Sequence, residues 1–224
     1  MGLLLKPMLA WAMLKSEVHA VEAALAQGLD AGRARLAWLV SRGVADLSEV
    51  QVRESAIETL AENLNDSVVA PVFWFLLLGL PGAVLYRFAN TADAMWGYPG
   101  IYKGCNWAWA GKWVACADDV LSWLPARLTA VLLLAVAGQR GWAVRGYLRS
   151  EARQTPSPNS GWPMAAMALV LDVRLCKPGV YALNAPGREA TKQDTLDAQV
   201  YASKVVVALV VIAPVALFFI ASGA

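Results

Sequence analysis

The sequence predicts an all-α, polytopic integral membrane protein in which amphipathic helices alternate with polar, Gly- and Pro-rich loops. The 224-residue chain is 58% apolar and only 16% charged, and its mean hydropathy is +0.47, so it is more apolar than a typical soluble domain. Ten tryptophans fit this class, because amphipathic aromatic rings collect at the membrane–water boundary. No internal repeat or disordered linker divides the sequence, which predicts a single membrane domain over 1–224.

Charge and motif content exclude several classes of function. A formal net charge of +2 is too small to indicate nucleic-acid binding. Three cysteines without CxxC spacing and the single histidine, His19, indicate neither a disulfide framework nor a zinc site. The sequence also lacks a P-loop, a GxSxG elbow and an HExxH pair.

The N-terminal part of the chain predicts a membrane-associated helix followed by an amphipathic helix. Residues 1–14 are apolar but interrupted by a Lys-Pro pair, and they are too short to span a bilayer, which needs about 20 apolar residues. Residues 12–39 have the apolar periodicity of one amphipathic helix, with Gly28 and Gly32 loosening its middle.

A polar helix over 48–64 is the best-defined element of the sequence. Ser48 and Gln51 have the spacing of a capping box, which marks its N-terminus. An apolar face follows, formed by residues such as Ile57, Leu60 and Leu64.

Four carboxylates recur every fourth residue along this helix and past its end: Glu54, Glu58, Glu62 and Asp66. At this spacing they fall near one helix face and repel one another, so the face favours cations, a substrate amine or a metal ion opposite it. The alternative is a solvated surface, and Glu54 in particular is expected to be solvated. Glu62 and Asp66 lie nearest the membrane entry, where an unpaired charge costs most.

Three later stretches are candidate membrane spans: 68–86, 121–138 and 204–222. The first contains residues expected to kink or shorten it, namely Gly79, Pro81 and Gly82. The third is apolar throughout, with Pro214 in its middle, and is the clearest of the three.

Polar segments separate these spans. Residues 87–112 end in a Gly-, Trp- and Tyr-rich loop, and residues 155–163 form a turn-rich loop. Residues 174–195 form a Gly-, Pro- and Lys-rich loop, in which Asp194 leads into the last helix. The stretch MAAMALVLDV is too short to span and predicts a re-entrant or buried helix. A cationic run on one short amphipathic helix consists of Arg140, Arg145, Arg149 and Arg153. It indicates either a cytoplasmic side by the positive-inside rule or contact with anionic lipid headgroups.

Five blocks of the sequence resemble, in order, those of one family: ESAIETLAENLNDSVVAPVFW, RFANTADAMWGY, ADDVLSWLPARLTAVLL, SPNSGWPMAAMA and RLCKPGVYALN. The family is the adenosylcobinamide-phosphate synthases, the CobD/CbiB family of cobalamin biosynthesis, and the blocks cover most of 40–184. The resemblance implies a multi-pass inner-membrane ligase. Such an enzyme uses ATP and Mg²⁺ to join adenosylcobyric acid to (R)-1-amino-2-propanol phosphate or ethanolamine phosphate through an amide bond.

The chain departs from the family pattern in two places. Family members begin with further membrane helices and an acidic-aromatic block, and the sequence is expected to start within or after them. The family also commonly has Ser-Arg-Asp where this chain has Ser41-Arg42-Gly43, which leaves open whether activity is retained.

Amide formation with ATP needs cations for phosphates and a base for the incoming ammonium, and this chemistry selects the candidate site residues within the resembling blocks and between them. The candidate catalytic residues are Glu62, Asp66, Asp93, Asp118 and Asp119. The candidate Mg²⁺ ligands are Glu58, Glu62 and Asp66. The candidate substrate-binding residues are Arg42, Asn63, Arg87, Asn90, Lys103, Arg127, Ser157, Asn159, Ser160 and Gly161.

Alternatives remain at this stage for several residues and for the function. Arg127 is equally consistent with snorkelling at a helix end, and 157–161 with a simple turn. A non-catalytic AmpE-like regulatory protein and an ion-coupled transporter are the other functional classes. The expected partners are the corrinoid substrate, the aminoalcohol phosphate and the bilayer, with the active-site loops on the cytoplasmic side, and the oligomeric state is left open.

Overall fold

A computed structural model describes residues 9–98, 100–102 and 104–222. Helix α1 spans Trp11–Leu25 and α2 spans Leu29–Leu36. The sequence predicted one helix here, and that prediction is wrong because Gly28 has φ 144°, a conformation that ends the helix and that glycine adopts without steric cost.

Helix α3 spans Glu49–Leu64, as predicted, and its capping box is formed. The Ser48 hydroxyl accepts from the backbone N–H of Gln51 at 3.3 Å, while the Gln51 side chain accepts from the backbone N–H of Ser48 at 2.8 Å. These bonds satisfy two N–H groups that the first helical turn leaves unpaired.

The helix continues without a loop into a π-helical segment, Asn65–Val69, and then into α4, Ala70–Trp96. Gly79 lies inside α4 with non-helical angles, φ 66° and ψ −157°. At this residue the chain folds back on itself. Arg87 Nη1 donates to the backbone carbonyl of Asp66 at 3.1 Å, although the two residues are 21 positions apart. A straight helix would separate them by about 30 Å.

The two arms of α4 pack closely against each other beyond the fold-back. A Cβ added at Gly82 would lie 2.5 Å from the carbonyl oxygen of Trp74 and 2.6 Å from Cβ of Leu78. The kink predicted at Gly79 is therefore confirmed, and it is sharp enough that 68–86 is a helical hairpin rather than one straight span.

Two short strands, β1 (Ile101–Tyr102) and β2 (Cys105–Asn106), form an antiparallel pair within the predicted aromatic loop. Helix α5 spans Ala110–Val136, α6 spans Gln139–Val144 and α7 spans Leu148–Ala152. The arginine-rich stretch therefore lies on two short helices instead of the single one expected.

Helix α8, Gly161–Leu171, is almost wholly buried, which confirms the prediction of a short helix packed among others. It is followed by an antiparallel hairpin of β3 (Leu175–Lys177) and β4 (Tyr181–Leu183). The sequence analysis expected only a loop here. The last helix, α9, spans Lys192–Ser222, so it begins twelve residues before the predicted span.

By length and composition, three helical stretches of the described chain are apolar enough to cross a membrane: Glu49–Trp96, Ala110–Val136 and Lys192–Val215. The all-α membrane class is thus confirmed. The polar half of the molecule packs around α3, whose Ile57 and Leu60 are fully buried together with Ala130 of α5 and Met167 of α8. This core holds the carboxylate face of α3 against the β3–β4 hairpin.

Candidate functional site

Glu54 begins the row of carboxylates on α3, and it is fully buried. Its Oε2 accepts from the backbone N–H of Cys176 at 3.2 Å, and its Oε1 lies 3.7 Å from Nε of Arg174. The expectation that Glu54 is solvated is therefore wrong, because the β3–β4 hairpin covers it. Glu54 fastens this hairpin to α3.

Glu58, one turn further along, is 5% exposed and pairs with Arg42. Arg42 Nη2 donates to Glu58 Oε2 at 3.2 Å and to the Ser55 hydroxyl at 2.6 Å. The loop before α3 thus supplies the first cation opposite the row. Gly43 follows directly, and a Cβ at that position would meet nothing within 4 Å.

A cavity of about 190 Å³ opens beside this ion pair. It is lined by Leu39, Val40, Ser41, Arg42, Glu58, Thr59, Glu62, Asn63, Met164, Lys177 and Tyr181. Two of its charged groups, the ammonium of Lys177 and the carboxylate of Glu62, make no hydrogen bond or ion pair with the described residues. They are close enough to interact electrostatically. The cavity therefore offers one free cation and one free carboxylate.

Two further side chains give the cavity hydrogen-bonding capacity. The Asn63 amide donates to the carbonyl of Thr59 at 3.0 Å, which leaves its oxygen available. Burial raises the pKa of Tyr181, and the neighbouring Glu58 carboxylate raises it further. Tyr181 consequently keeps its proton and remains a donor across the physiological pH range.

Asp66 occupies the π-helical segment, and a second polar network surrounds it. Its Oδ1 accepts from Asn65 Nδ2 at 2.8 Å and from the Tyr86 hydroxyl at 3.4 Å. Tyr86 is also 3.2 Å from the Ser122 hydroxyl of α5. Single-turn π segments are frequent at functional sites. This one places Asp66, the last carboxylate of the row, next to the arm of α4 that folds back.

The same network contains Asn90 and Asp118. Asn90 Nδ2 donates to Asp118 Oδ1 at 3.2 Å, while its Oδ1 accepts from Arg87 at 3.4 Å. Asp118 interacts electrostatically with Asp66, Asp93 and Asp119. Because the α4 arms return beside Asp66, residues from three of the resembling blocks lie together.

Arg127 belongs to a different environment. Its guanidinium carbon lies 4.4 Å from the ring centroid of Trp123 and 4.7 Å from that of Trp162. It donates to Asn159 Oδ1 at 2.8 Å and to the carbonyl of Pro158 at 3.2 Å. Arg127 thus connects α5 to the 155–163 loop, and it also donates to the carbonyl of Trp123 on its own helix at 2.6 Å.

That loop is itself internally ordered. The Ser157 hydroxyl accepts from the backbone N–H groups of Asn159 and Ser160, each at 3.2 Å, and Asn159 Nδ2 donates to the carbonyl of Asp119 at 2.8 Å. Gly161 packs directly on the carbonyl of Ala152. A cavity of about 640 Å³ adjoins the loop, with Arg149 and Arg153 on its wall.

Mg²⁺ has no ready-made site in the described ranges 9–98, 100–102 and 104–222, where no three His, Cys, Asp or Glu side chains converge closely enough to hold a metal ion. Glu58 is engaged by Arg42, and Asp66 by neighbouring amide and hydroxyl groups. Proteins commonly bind Mg²⁺ through one or two carboxylates plus substrate phosphates. Glu58, Glu62 and Asp66 therefore do not form a Mg²⁺ site without substrate phosphates. Their assignment as Mg²⁺ ligands stays a prediction.

The predicted site residues fall into two groups in space. Arg42, Glu58, Glu62 and Asn63 line the cavity, and Asp66, Arg87, Asn90 and Asp118 form the adjoining network. Arg127, Asp119, Ser157, Asn159, Ser160 and Gly161 gather around the 155–163 loop. Asp93 is at the end of α4, and Lys103 lies outside the described residues.

Among the cavity residues that were not predicted, Lys177 and Tyr181 offer the most to a ligand, namely an ammonium and a phenol. Both stand in the block RLCKPGVYALN, which was recognised as part of the resemblance. That block was interpreted as a loop, so its residues were not placed opposite α3.

The fold and this site together define a class, an all-helical membrane protein with a mixed-charge cavity beside an apolar helical hairpin. A profile of the CobD/Cbib protein family matches residues 1–218. The chain belongs to the CobD/Cbib family.

Curated proteins similar to this chain carry consistent names. The probable cobalamin biosynthesis protein CobD of Methanothermobacter thermautotrophicus is 43% identical over 201 residues, which are 88% of this chain and 66% of that protein. The protein of the same name from Thermococcus kodakarensis is 44% identical over 181 residues, 81% of this chain and 58% of that protein. The cobalamin biosynthesis protein CobD of Chromobacterium violaceum is 46% identical over 167 residues, 72% of this chain and 50% of that protein.

The chain thus spans between half and two thirds of the length of these relatives. No solved structure matches it.

Proposed function

We propose that this protein acts in cobalamin biosynthesis as an adenosylcobinamide-phosphate synthase, forming the amide bond between adenosylcobyric acid and an aminoalcohol phosphate. The proposal rests on membership of the CobD/Cbib family and on the names of its relatives. One observation favours the ligase chemistry in particular, namely the free cation and free carboxylate that line the same small cavity.

An aminoalcohol phosphate carries an ammonium at one end and a phosphate at the other, so its binding site needs both signs of charge. In this cavity Lys177 is available for the phosphate and Arg42 supports it, while Glu62 is available for the ammonium. Asn63 and Tyr181 can hydrogen-bond the phosphate oxygens or the ester oxygen between the two ends. A cavity of about 190 Å³ suits a ligand of this size better than a corrinoid, which would approach from outside it.

The reaction requires an activated carboxyl group and a neutral amine. A carboxylate oxygen of the corrinoid attacks the γ-phosphorus of ATP, ADP leaves, and an acyl phosphate results. The amine nitrogen then attacks the acyl carbon and phosphate leaves. Before or during this attack the ammonium loses a proton, and Glu62 is placed to accept it because no protein group occupies its carboxylate.

The network around Asp66 has a supporting role in this proposal. Tyr86, Asn90 and Asp118 hold the π-helical segment against α5, and this fixes the end of α3 on which Glu62 stands. ATP and Mg²⁺ are co-substrates in the proposal, and the inner membrane with the site facing the cytoplasm is the location that ATP requires.

The test is conversion of adenosylcobyric acid by purified protein with ATP, Mg²⁺ and aminopropanol phosphate, followed by mass spectrometry of the corrinoid. Glu62→Gln should lower kcat by at least about 100-fold, as expected for loss of a general base. Glu49→Gln is the matched control, since Glu49 stands on the same helix, is 55% exposed and pairs with Arg53. It should leave the rate within about twofold.

One result would overturn the proposal, and a second would overturn only the role assigned to Glu62. Wild-type protein that is folded but forms no corrinoid amide would favour the AmpE-like or transporter alternatives. Product formation that is unaffected by Glu62→Gln would retain the ligase but remove the assigned role of this carboxylate.

A further inference from the structure

A second cavity, of about 550 Å³, lies where α1 meets α9 and shares no residue with the candidate site. Lys15 of α1 forms one side of it. The other side is formed by one face of α9: Leu196, Gln199, Val200, Ser203, Lys204 and Val207. The cavity is thus lined by both polar and apolar side chains.

The two lysines of this cavity are not neutralised by the protein. Neither Lys15 nor Lys204 makes a hydrogen bond or ion pair with the described residues, and Lys204 Nζ lies 5.2 Å from the ring centroid of Tyr201. The nearest acidic neighbour along α1, Glu17, is paired with Arg35. Two positive charges therefore face the cavity without a counter-charge.

Gln199 points to the chemistry of the missing partner. Its side chain is only 6% exposed, and its Nε2 has no hydrogen-bond acceptor among the described residues. The Ser203 hydroxyl donates to the backbone carbonyl of Gln199 at 2.6 Å and makes no hydrogen bond with the Gln199 amide. A buried amide donor without an acceptor costs about 1–3 kcal/mol, so an anionic oxygen in the cavity would satisfy it.

The position of the cavity along α9 favours a lipid over a soluble anion. Lys204 is the last charged residue of the sequence, and the helix beyond it is apolar. Val207, Val210 and Val211 are each more than 60% exposed, as expected for a surface in contact with acyl chains. Lysines at such a boundary attract anionic headgroups.

We propose that this cavity binds one anionic phospholipid at the membrane surface. Its phosphate lies between the ammonium groups of Lys15 and Lys204, a phosphate oxygen accepts from Gln199 Nε2, and an acyl chain follows Val207 and Val211. The lipid ties α1 to the membrane helix α9. This site is independent of the proposed ligase reaction.

Native mass spectrometry of the full chain in neutral detergent tests the proposal, with dioleoylphosphatidylglycerol and dioleoylphosphatidylcholine as probes. Wild-type protein should retain one phosphatidylglycerol in preference to phosphatidylcholine. The double variant Lys15→Gln/Lys204→Gln should weaken phosphatidylglycerol retention at least about tenfold. The double variant Lys112→Gln/Lys192→Gln removes the same charge elsewhere and should not.

Two further arms distinguish a lipid from a soluble phosphate. Gln199→Leu should weaken retention of phosphatidylglycerol while keeping the melting temperature. Inorganic phosphate or glycerol 3-phosphate at millimolar concentration should not displace the lipid. Equal retention of both lipids, equal loss in the two double variants, or displacement by soluble phosphate would overturn the proposal.

Discussion

The backbone N–H of Cys176 donates to Oε2 of Glu54 at 3.2 Å, across 122 residues of sequence. This bond joins strand β3 to the first turns of α3, and Lys177 is the next residue in the strand. Glu54, although it belongs to the row of carboxylates, therefore has a structural role. It holds the strand that places Lys177 opposite that row. The position of Lys177 depends on Glu54.

Glu54→Ala should destabilise the protein by about 1–3 kcal/mol, because it leaves the part-buried N–H of Cys176 without its acceptor. The expected observation is a lower melting temperature in detergent. Glu189→Ala is the control, since Glu189 is 70% exposed and contacts the same Arg174 at 3.8 Å. Equal stability of the two variants would mean that the Glu54–Cys176 bond does not hold the hairpin.

Lys177→Gln should raise KM for aminopropanol phosphate by at least about tenfold while kcat changes little, because it removes a charge used in binding the phosphate before and during the reaction. Steady-state kinetics of corrinoid amide formation measures both constants. Lys192→Gln, on the exposed start of α9, is the protein control. Aminopropanol without its phosphate is the substrate control, and its KM should be the same for Lys177→Gln and wild type.

The local elements of the fold were predictable from sequence because short-range chemistry determines them. Ser48 and Gln51 marked the start of α3, Gly79 marked the kink, and the apolarity of 164–173 indicated a buried helix. The burial of Glu54 was not predictable, since it depends on a hairpin formed far away in the chain. The extent of the bend at Gly79 was also hidden, because a glycine in an apolar run permits a kink of any size.

The carboxylates of the candidate site could be predicted from the sequence more readily than its cations. The four-residue spacing from Glu54 to Asp66 identified the carboxylates of the candidate site. Its counterpart, Lys177, lies on a strand pair of three residues each, which is too short to show an alternating pattern. The contacts of Arg127 with Pro158 and Asn159 were not predicted, because these residues were assigned to substrate binding only through the resemblance of their blocks to one family.

Gly82→Ala should destabilise the protein by about 1–3 kcal/mol, since its Cβ would meet the backbone of the opposite α4 arm and force the hairpin apart. The comparison is Gly43→Ala, where a Cβ would meet nothing within 4 Å and the change should stay within about 0.5 kcal/mol. Chemical or thermal unfolding in detergent gives the two values. A Gly82→Ala variant as stable as Gly43→Ala would show that the arms are not tightly packed.

Arg127→Lys should loosen the 155–163 loop, because an ammonium cannot reproduce the planar contacts with Trp123 and Trp162 or the paired bonds to Asn159 and Pro158. We expect faster proteolysis within this loop and a stability loss of about 1–3 kcal/mol. Arg149→Lys is the control, as Arg149 makes no hydrogen bond or ion pair with the described residues. Unchanged proteolysis together with a raised KM would instead support direct substrate contact by Arg127.

The fold-back at Gly79 also changes how the chain must be threaded through a bilayer. Asp66 and Arg87 are hydrogen-bonded, so the two ends of the apolar stretch between them lie close together. The arms on either side of Gly79, 68–78 and 80–86, have eleven and seven residues, each well short of the about 20 that a crossing needs. In a bilayer such a hairpin would return to the side from which it entered, and a hydropathy plot that counts 68–86 as one passage would assign the following loops to the wrong side.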